Sequence, residues 1–354
     1  MIIINARFLT QEVTGVQRYA IEISRELKKL CPDIVFVAPR NIKNIEIADE
    51  LDVIGFGFLS GHLWEQIELP FFLNKNDDCL VVNLCNTAPI LYKKKMVVIH
   101  DVAFERFPEN FSFSFRLLYK LMIPILMRSS DFVVTVSEFS KKEIIDIYGA
   151  LSDAIGCIPC AVGSDFIPIF GNIKQPIILA VSSLSPQKNF KSLIKAFTSI
   201  ESPEVVLTIV GDSHKNFSSN DFLSEIEGNP NIKMLGRVSD KDLINLYSSA
   251  LCFVYPSFYE GFGLPPLEAQ ACGCPCLVAN AASLPEVLGD SALFCDPHSI
   301  EDIESKLRLI IEDEVLRMDL TKKGKANVNR FSWNKSALKM KKMIDEGEIS
   351  SDII

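Results

Sequence analysis

The chain has 354 residues, with 36 lysines and arginines against 45 aspartates and glutamates, a formal charge of −9. Its 48% hydrophobic and 23% charged content excludes wholesale disorder, and its length suits two domains of ~150 residues each. Acids and bases are interspersed with no basic stripe, so nucleic acid is not expected as a partner. No run reaches the ~18 apolar residues of a membrane-spanning helix. The opening MIIINARFLT lacks a basic leader and is too short for a signal peptide, so a cytoplasmic location is expected.

In chain order, MIIIN reads as a strand, followed by a loop over 10–14 that reaches Gly15. Val16, Ala20, Ile23, Leu27 and Leu30 then recur at helical spacing. DIVFVAP, DCLVVNLC, KKMVVIHD and DFVVTVSE are short Val- and Ile-rich runs bounded by polar residues, the pattern of strands buried on both faces of a parallel sheet. Ser137 followed by EFSKKEIIDIY predicts a capped helix that Gly149 ends. A second series starts near Pro176: strand PIILAVSS, helix NFKSLIKAF, strand VVLTIVGD, a helix around 222–226, and strand NIKMLGRV. Ser239 with Asp242 three residues on predicts a helix to Ala250. Strands ALCFVYPS, PCLVAN and SALFCD complete it.

Two successive series of alternating strands and helices imply an α/β protein of two doubly wound Rossmann-like domains. The expected boundaries are 1–168 for the first domain, 169–332 for the second, and 333–354 for a final helix, with a linker over 163–171. Ligands sit beyond the carboxyl ends of parallel strands. The positions to watch are therefore Gly15, His100, Ser137, Ser182, Ser183, Gly211, Gly236 and the 259–267 loop.

Ten cysteines call for a reading as metal ligands or as core. Cys157 and Cys160 form C-x-x-C, and Cys272, Cys274 and Cys276 alternate, but four converging ligands are not in view. Alternate residues of a strand point to opposite faces, so the triplet reads as small apolar packing, and no metal is expected.

The most informative segment is SFYEGFGLPPLEAQACGCP. Glu260 and Glu268 have seven residues between them, across a turn in which Gly261 and Gly263 allow close backbone approach. Pro265 and Pro266 suit the first turn of a helix, whose N-terminal amides favour an anion such as a diphosphate. Two carboxylates flanking that anion site fit the hydroxyls at either end of a nucleotide sugar. Outside this setting, the glutamates are ordinary helix-start acids, and His100 before Asp101 an ordinary strand-end histidine.

This EGFGLPPLE setting resembles the retaining glycosyltransferases of family 4, which have the GT-B fold of two doubly wound domains facing across a cleft. TGVQRYAIEI, VVIHDVAFERFPENFS, VTVSEFSKKEI, SPQKNF, GRVSDKDL and the late FSW follow in that family's order over nearly the whole chain. They resemble in particular its mannosyltransferase-like branch, which builds O-antigen and other bacterial surface polysaccharides. The resemblance implies transfer of a hexose or deoxyhexose, GDP-mannose foremost, to a glycan or lipid-linked oligosaccharide, with retention and without a metal or other cofactor. It gives catalytic parts to Glu260 at the donor sugar, His100 beside it and Lys188 at the diphosphate. It gives donor or nucleotide contacts to Gly15, Ser183, Lys188, Gly236, Arg237, Val238, Phe262, Gly263 and Leu264, and the ribose to Glu268. One departure is visible: the arginine that the family places before the lysine is replaced by Ser183 or Gln187, leaving Arg237, Arg18 or Arg7 as substitutes. Rival readings are an epimerase of the same architecture and a non-catalytic partner protein.

Phe104, Phe107, Phe111, Phe113 and Phe115 precede an apolar LLYKLMIPILM, and residues 91–142 carry a local charge of +4. Aromatic residues with bases fit docking on an anionic membrane surface, so a peripheral place on the inner face of the cell membrane is expected.

Overall fold

The computed structural model describes residues 1–76, 79–149, 154–200, 202–211 and 228–347. They form two compact units. Unit 1 comprises the described residues of Met1–Arg106, Phe111–Cys160 and Ser332–Ile354, and unit 2 those of Phe107–Asn110 and Ala161–Phe331. The main changeover thus falls at Cys160/Ala161, ahead of the expected 168/169, with Phe166 buried beside Tyr247 of unit 2, their ring centroids 6.4 Å apart.

Unit 1 holds seven parallel strands: β1 (Ile2–Asn5), β2 (Val35–Ala38), β3 (Ile54–Gly55), β4 (Leu80–Asn83), β5 (Lys95–Val98), β6 (Phe132–Thr135) and β7 (Ile155–Cys157), in the order β3-β2-β1-β4-β5-β6-β7. Unit 2 holds six more: β8 (Gln175–Val181), β9 (Val206–Val210), β10 (Ile232–Gly236), β11 (Ala250–Tyr255), β12 (Cys276–Ala279) and β13 (Leu293–Cys295), in the order β10-β9-β8-β11-β12-β13. Each sheet reverses its strand order at its first strand, which is where a doubly wound sheet opens a crevice. The central strands are buried on both faces, as their continuous Val and Ile runs require.

Local signals set the helices. The Gly15–Leu30 helix buries Tyr19, Ala20, Ile23 and Leu27. Ser137 caps the Glu138–Tyr148 helix by accepting the Ser140 N–H, and Gly149, at φ 68°, closes it in the left-handed conformation. Ser239 caps Asp240–Ser249 through the Asp242 N–H. The Trp333–Glu346 helix packs on the Gly15–Leu30 helix in unit 1, with Trp333 edge-on to Tyr19 at 5.7 Å. The helix expected around 222–226 lies outside the described residues.

Two expectations need correction. Cys272 ends the Leu264–Ala271 helix and β12 starts only at Cys276, so the three cysteines do not alternate along one strand. All three are buried free thiols, and burial pushes the Cys274 thiol up to about 12. The phenylalanines are also not one exposed cluster. Phe104 is buried, Phe111 and Phe115 pack beside it, and Phe107 meets Tyr259 in unit 2. Only Phe113 is exposed, opening the Phe113–Ser129 helix. Among the described residues no helix is long and apolar enough to cross a membrane.

Candidate functional site

In unit 2 the expected residues gather at the carboxyl edge of the sheet. The chain leaves β8 through Ser182 and the exposed Ser183 into a single 3-10 turn, Pro186–Lys188. Asn189 follows in the left-handed region, and its side chain donates to the Pro256 and Pro297 carbonyls, which fixes the turn. Lys188 is thereby aimed at the loop after β11, where its Nζ donates to Glu260 Oε1 at 2.6 Å and to Tyr255 Oη at 3.4 Å. The side chains of Lys188 and Glu260 are only 13% and 11% exposed, so the pair is largely shielded from water. Burial first, and the Glu260 carboxylate second, hold the Tyr255 phenol well above its ordinary range.

The glycine-rich loop is held by Ser283, whose hydroxyl donates to the Glu260 and Phe262 carbonyls at 3.0 and 2.9 Å. Phe262 is buried against Phe331. Gly263 starts the Leu264–Ala271 helix at φ 104°, and a Cβ there would come within 2.7 Å of Leu284 Cδ2, so no other residue fits without strain. Because Pro265 and Pro266 carry no N–H, this helix start offers an anion the Gly263 and Leu264 amides rather than a full set. Glu268, one turn in, is buried and accepts the Tyr247 hydroxyl at 3.4 Å. The two glutamates therefore have separate partners.

Backbone bonds align the neighbouring strand ends. The Ser182 N–H donates to Val210, and the Gly211 N–H to Gly236. Gly236, at φ 66°, ends β10, and Arg237 beyond it is exposed while Val238 is half-buried. Gln187, where the family's arginine is missing, serves as a brace. Its side chain accepts Asn110 Nδ2 at 3.0 Å, and its carbonyl accepts the Phe258 N–H and the Ser257 hydroxyl.

Gly15 and His100 lie in unit 1, apart from this group in the chain's division. Gly15 is the first residue of its helix, after Thr14, whose N–H donates to Gln17 Oε1. His100 is buried after β5, edge-on to Tyr19 at 4.9 Å. Its Nε2 lies 2.8 Å from the Leu84 carbonyl, which assigns the proton to Nε2 and leaves Nδ1 as the acceptor. Burial lowers its pKa to about 4, against the opposing pull of that carbonyl, so the ring is neutral at pH 7. Arg7 is no substitute cation for a diphosphate: it is buried in unit 1, where its Nε donates to Glu65 at 3.1 Å and its Nη2 to Thr87.

The sequence reading missed Tyr255, Asn189 and Ser283, which orient the charged pair and the loop. Tyr255 and Asn189 directly flank the elements it singled out. Ser283 carries no local signal.

A family model described as "Glycosyl transferases group 1" matches residues 166–327. The chain is 30% identical over 260 residues to O-antigen chain mannosyltransferase B of Escherichia coli, covering 69% of this chain and 68% of that one. It is 26% identical over 327 residues to O-antigen chain mannosyltransferase RfbU of Salmonella typhimurium, covering 87% and 90%. In structure it is similar to HepE of Anabaena in complex with UDP, with a TM-score of 0.78 at 16% identity over 98% of this chain and 99% of that one. That likeness concerns the fold, which is of the GT-B class.

Proposed function

Because the chain belongs to the group 1 glycosyl transferases, we propose that it transfers a hexose or deoxyhexose, foremost mannose from GDP-mannose, from a nucleotide sugar to a glycan or lipid-linked oligosaccharide during assembly of a surface polysaccharide such as O-antigen. The observation that carries this reading is the shielded Lys188–Glu260 pair, with Glu260 on the same glycine-rich loop that leads through Gly263 into the Leu264–Ala271 helix. Such an arrangement would offer a departing diphosphate a cation and two N–H donors, and sugar hydroxyls a carboxylate. The two mannosyltransferase relatives support mannose as the sugar, and the UDP held by HepE supports a nucleoside diphosphate in this fold.

In the proposed reaction the bond between the sugar's anomeric carbon and the diphosphate oxygen breaks as the acceptor oxygen bonds to the same face. The acceptor's proton passes to the departing phosphate oxygen. Lys188 and the two amides take up the charge that develops on the diphosphate, a preorganised stabilisation that is often the largest catalytic contribution, and this reading requires no metal. Glu260 binds the sugar, and Glu268 the ribose hydroxyls. His100, neutral at working pH, offers Nδ1 as an acceptor toward the sugar. The enzyme works at the inner face of the cell membrane, docked through the apolar face of the Phe113–Ser129 helix, which carries Arg116, Lys120 and Arg128 but no acid.

A thermal-shift panel with GDP, UDP, TDP and ADP tests the donor assignment. A nucleotide present at 100 times its Kd adds roughly 2.7 kcal/mol of stability. GDP is expected to give the largest shift, and mannose transfer from GDP-mannose to follow. A chain that none of the four nucleotides stabilises is not a nucleotide-sugar transferase.

A further inference from the structure

Unit 1 contains a charged cluster that the donor chemistry does not use. Residues 61–74 form one helical segment whose middle, Trp64–Glu68, is wound as a π turn. Such turns are rare and concentrate at functional sites. Here the wider turn carries Glu65 inward, with its side chain 1% exposed, while His62 three residues earlier remains 37% exposed. Glu65 Oε1 accepts Asn5 Nδ2 at 2.8 Å and Arg7 Nε at 3.1 Å, and Asn5 also donates to Asn83. The other oxygen, Oε2, stands 3.4 Å from His62 Nδ1. Burial would raise the Glu65 pKa, but the Arg7 guanidinium and His62 hold it down to about 2, so Glu65 is a carboxylate at any working pH.

A buried ion pair is weak evidence for stability, since well-packed apolar residues often do as well. This one reaches the surface through the imidazole. With Nδ1–H donating to Glu65, Nε2 is the acceptor of the neutral ring in this partly exposed side chain, the arrangement by which a buried carboxylate fixes a histidine tautomer. Tyr119 stands edge-on to the ring with centroids 6.5 Å apart. Arg7 follows β1 and Thr87 follows β4, so the cluster sits at the carboxyl ends of adjacent strands, where parallel sheets hold ligands.

We propose that the His62–Glu65 dyad binds a hydroxyl of the acceptor sugar, with His62 Nε2 accepting the O–H and the edge of Tyr119 beside it. This rests on the glycosyl-transfer reading above and extends it to the acceptor. His62 is here a positioning residue for the acceptor, and Arg7 and Asn5 hold its carboxylate partner in place.

The test uses the full chain with GDP-mannose as donor and methyl α-mannoside as acceptor probe, and follows both transfer and donor hydrolysis without acceptor. His62→Ala is expected to raise the acceptor KM about tenfold, as loss of one hydrogen bond to a ligand does, with donor KM, donor hydrolysis and melting temperature unchanged. His62→Gln, which keeps an acceptor atom at that reach, is expected to recover part of the loss. An acceptor KM within twofold of wild type in His62→Ala, or a rise in donor KM instead, overturns the assignment while leaving the transferase reading intact. Failure of the wild-type chain to act on GDP-mannose, or on the UDP-linked donor if UDP binds better, overturns the transferase reading and this assignment with it.

Discussion

Lys188 and Glu260 are 72 residues apart in the chain and 2.6 Å apart in the fold, so each holds the charge that the other's ligand contact would use. In the proposed reaction a diphosphate would draw Lys188 from Glu260, and a sugar hydroxyl would take the place of the ammonium. Glu260→Gln is therefore expected to leave GDP binding equal or tighter while transfer falls at least ~100-fold, read by calorimetry and by product formation; weakened GDP binding would mean that the two residues do not compete. Lys188→Ala is expected to lose ~10²–10³ in turnover and to bind GDP little better than GMP; a variant keeping a third of wild-type turnover would remove Lys188 from the diphosphate site. At His100 the relevant variable is pH. Its folded pKa of about 4 lies below the ordinary ~6.5 of an unfolded histidine. Between those values the unfolded chain binds a proton that the folded chain does not, so stability falls as pH drops from ~6.5 toward 4, by up to roughly 3 kcal/mol. Denaturant unfolding at pH 7 and pH 5 is expected to show this loss in the wild type and a smaller one in His100→Gln. Glu65, held at about 2, acts in a lower window, its contribution lost only as pH falls below the ordinary carboxylate value of ~4.3.

The elements differ in how far the sequence announces them. The runs at β1, β4, β5, β6 and β8 are legible because strands buried on both faces must be apolar throughout, and the caps at Ser137 and Ser239 because one side chain meets one N–H. β3 is illegible for the converse reason: its two residues, Ile54 and Gly55, are both exposed and form no run. The 61–74 segment is hidden twice, since Pro70 interrupts it and a π turn breaks the 3.6-residue period on which helix reading depends. At the site, Glu260, Glu268 and Lys188 stand out from their motifs, but the pairing of Lys188 with Glu260 does not, because it depends on which strand ends the sheet order brings together. At Gly263 the loop takes a conformation that leaves no room for a Cβ. Gly263→Ala is expected to lower stability by about 1–3 kcal/mol, seen as a reduced melting temperature with weaker nucleotide shifts. On the Phe113–Ser129 helix, Phe113, Leu117, Leu121 and Ile125 recur every four residues and are 72%, 49%, 61% and 44% exposed, a contiguous apolar stripe of the kind that marks an interaction face. Vesicles containing phosphatidylglycerol are expected to co-float the wild type in a salt-sensitive way, and Leu117→Ser with Leu121→Ser not to. Equal flotation of both would place the contact elsewhere, and self-association through this stripe without lipid would make a second copy its occupant.

At the scale of the molecule, the chain passes from unit 1 to unit 2 and back twice, the first time for only Phe107–Asn110. Those four residues tie into unit 2 through Phe107 on Tyr259 and Asn110 on Gln187. The final return brings Trp333, Ala337, Met340 and Met343 into buried positions in unit 1, and Ser336 donates to the Pro159 carbonyl at 2.8 Å. A chain ended at Phe331 is expected to keep the unit 2 melting transition and nucleotide response while losing the cooperative transition of unit 1; a full-length-like profile would show that the returning helix contributes little. The same arrangement sets an order of events during synthesis. Translation proceeds at about 5–20 residues per second, and everything unit 2 requires has been made before the first residue of the Trp333–Glu346 helix is added. The half of the molecule begun first is thus the half completed last: all the residues of unit 2 are made while Tyr19 and its neighbours on the Gly15–Leu30 helix still await their covering. In that interval the nascent chain presents chaperones with an apolar helix face in unit 1, and a nucleotide captured early by unit 2 would stabilise one unit while leaving the other open.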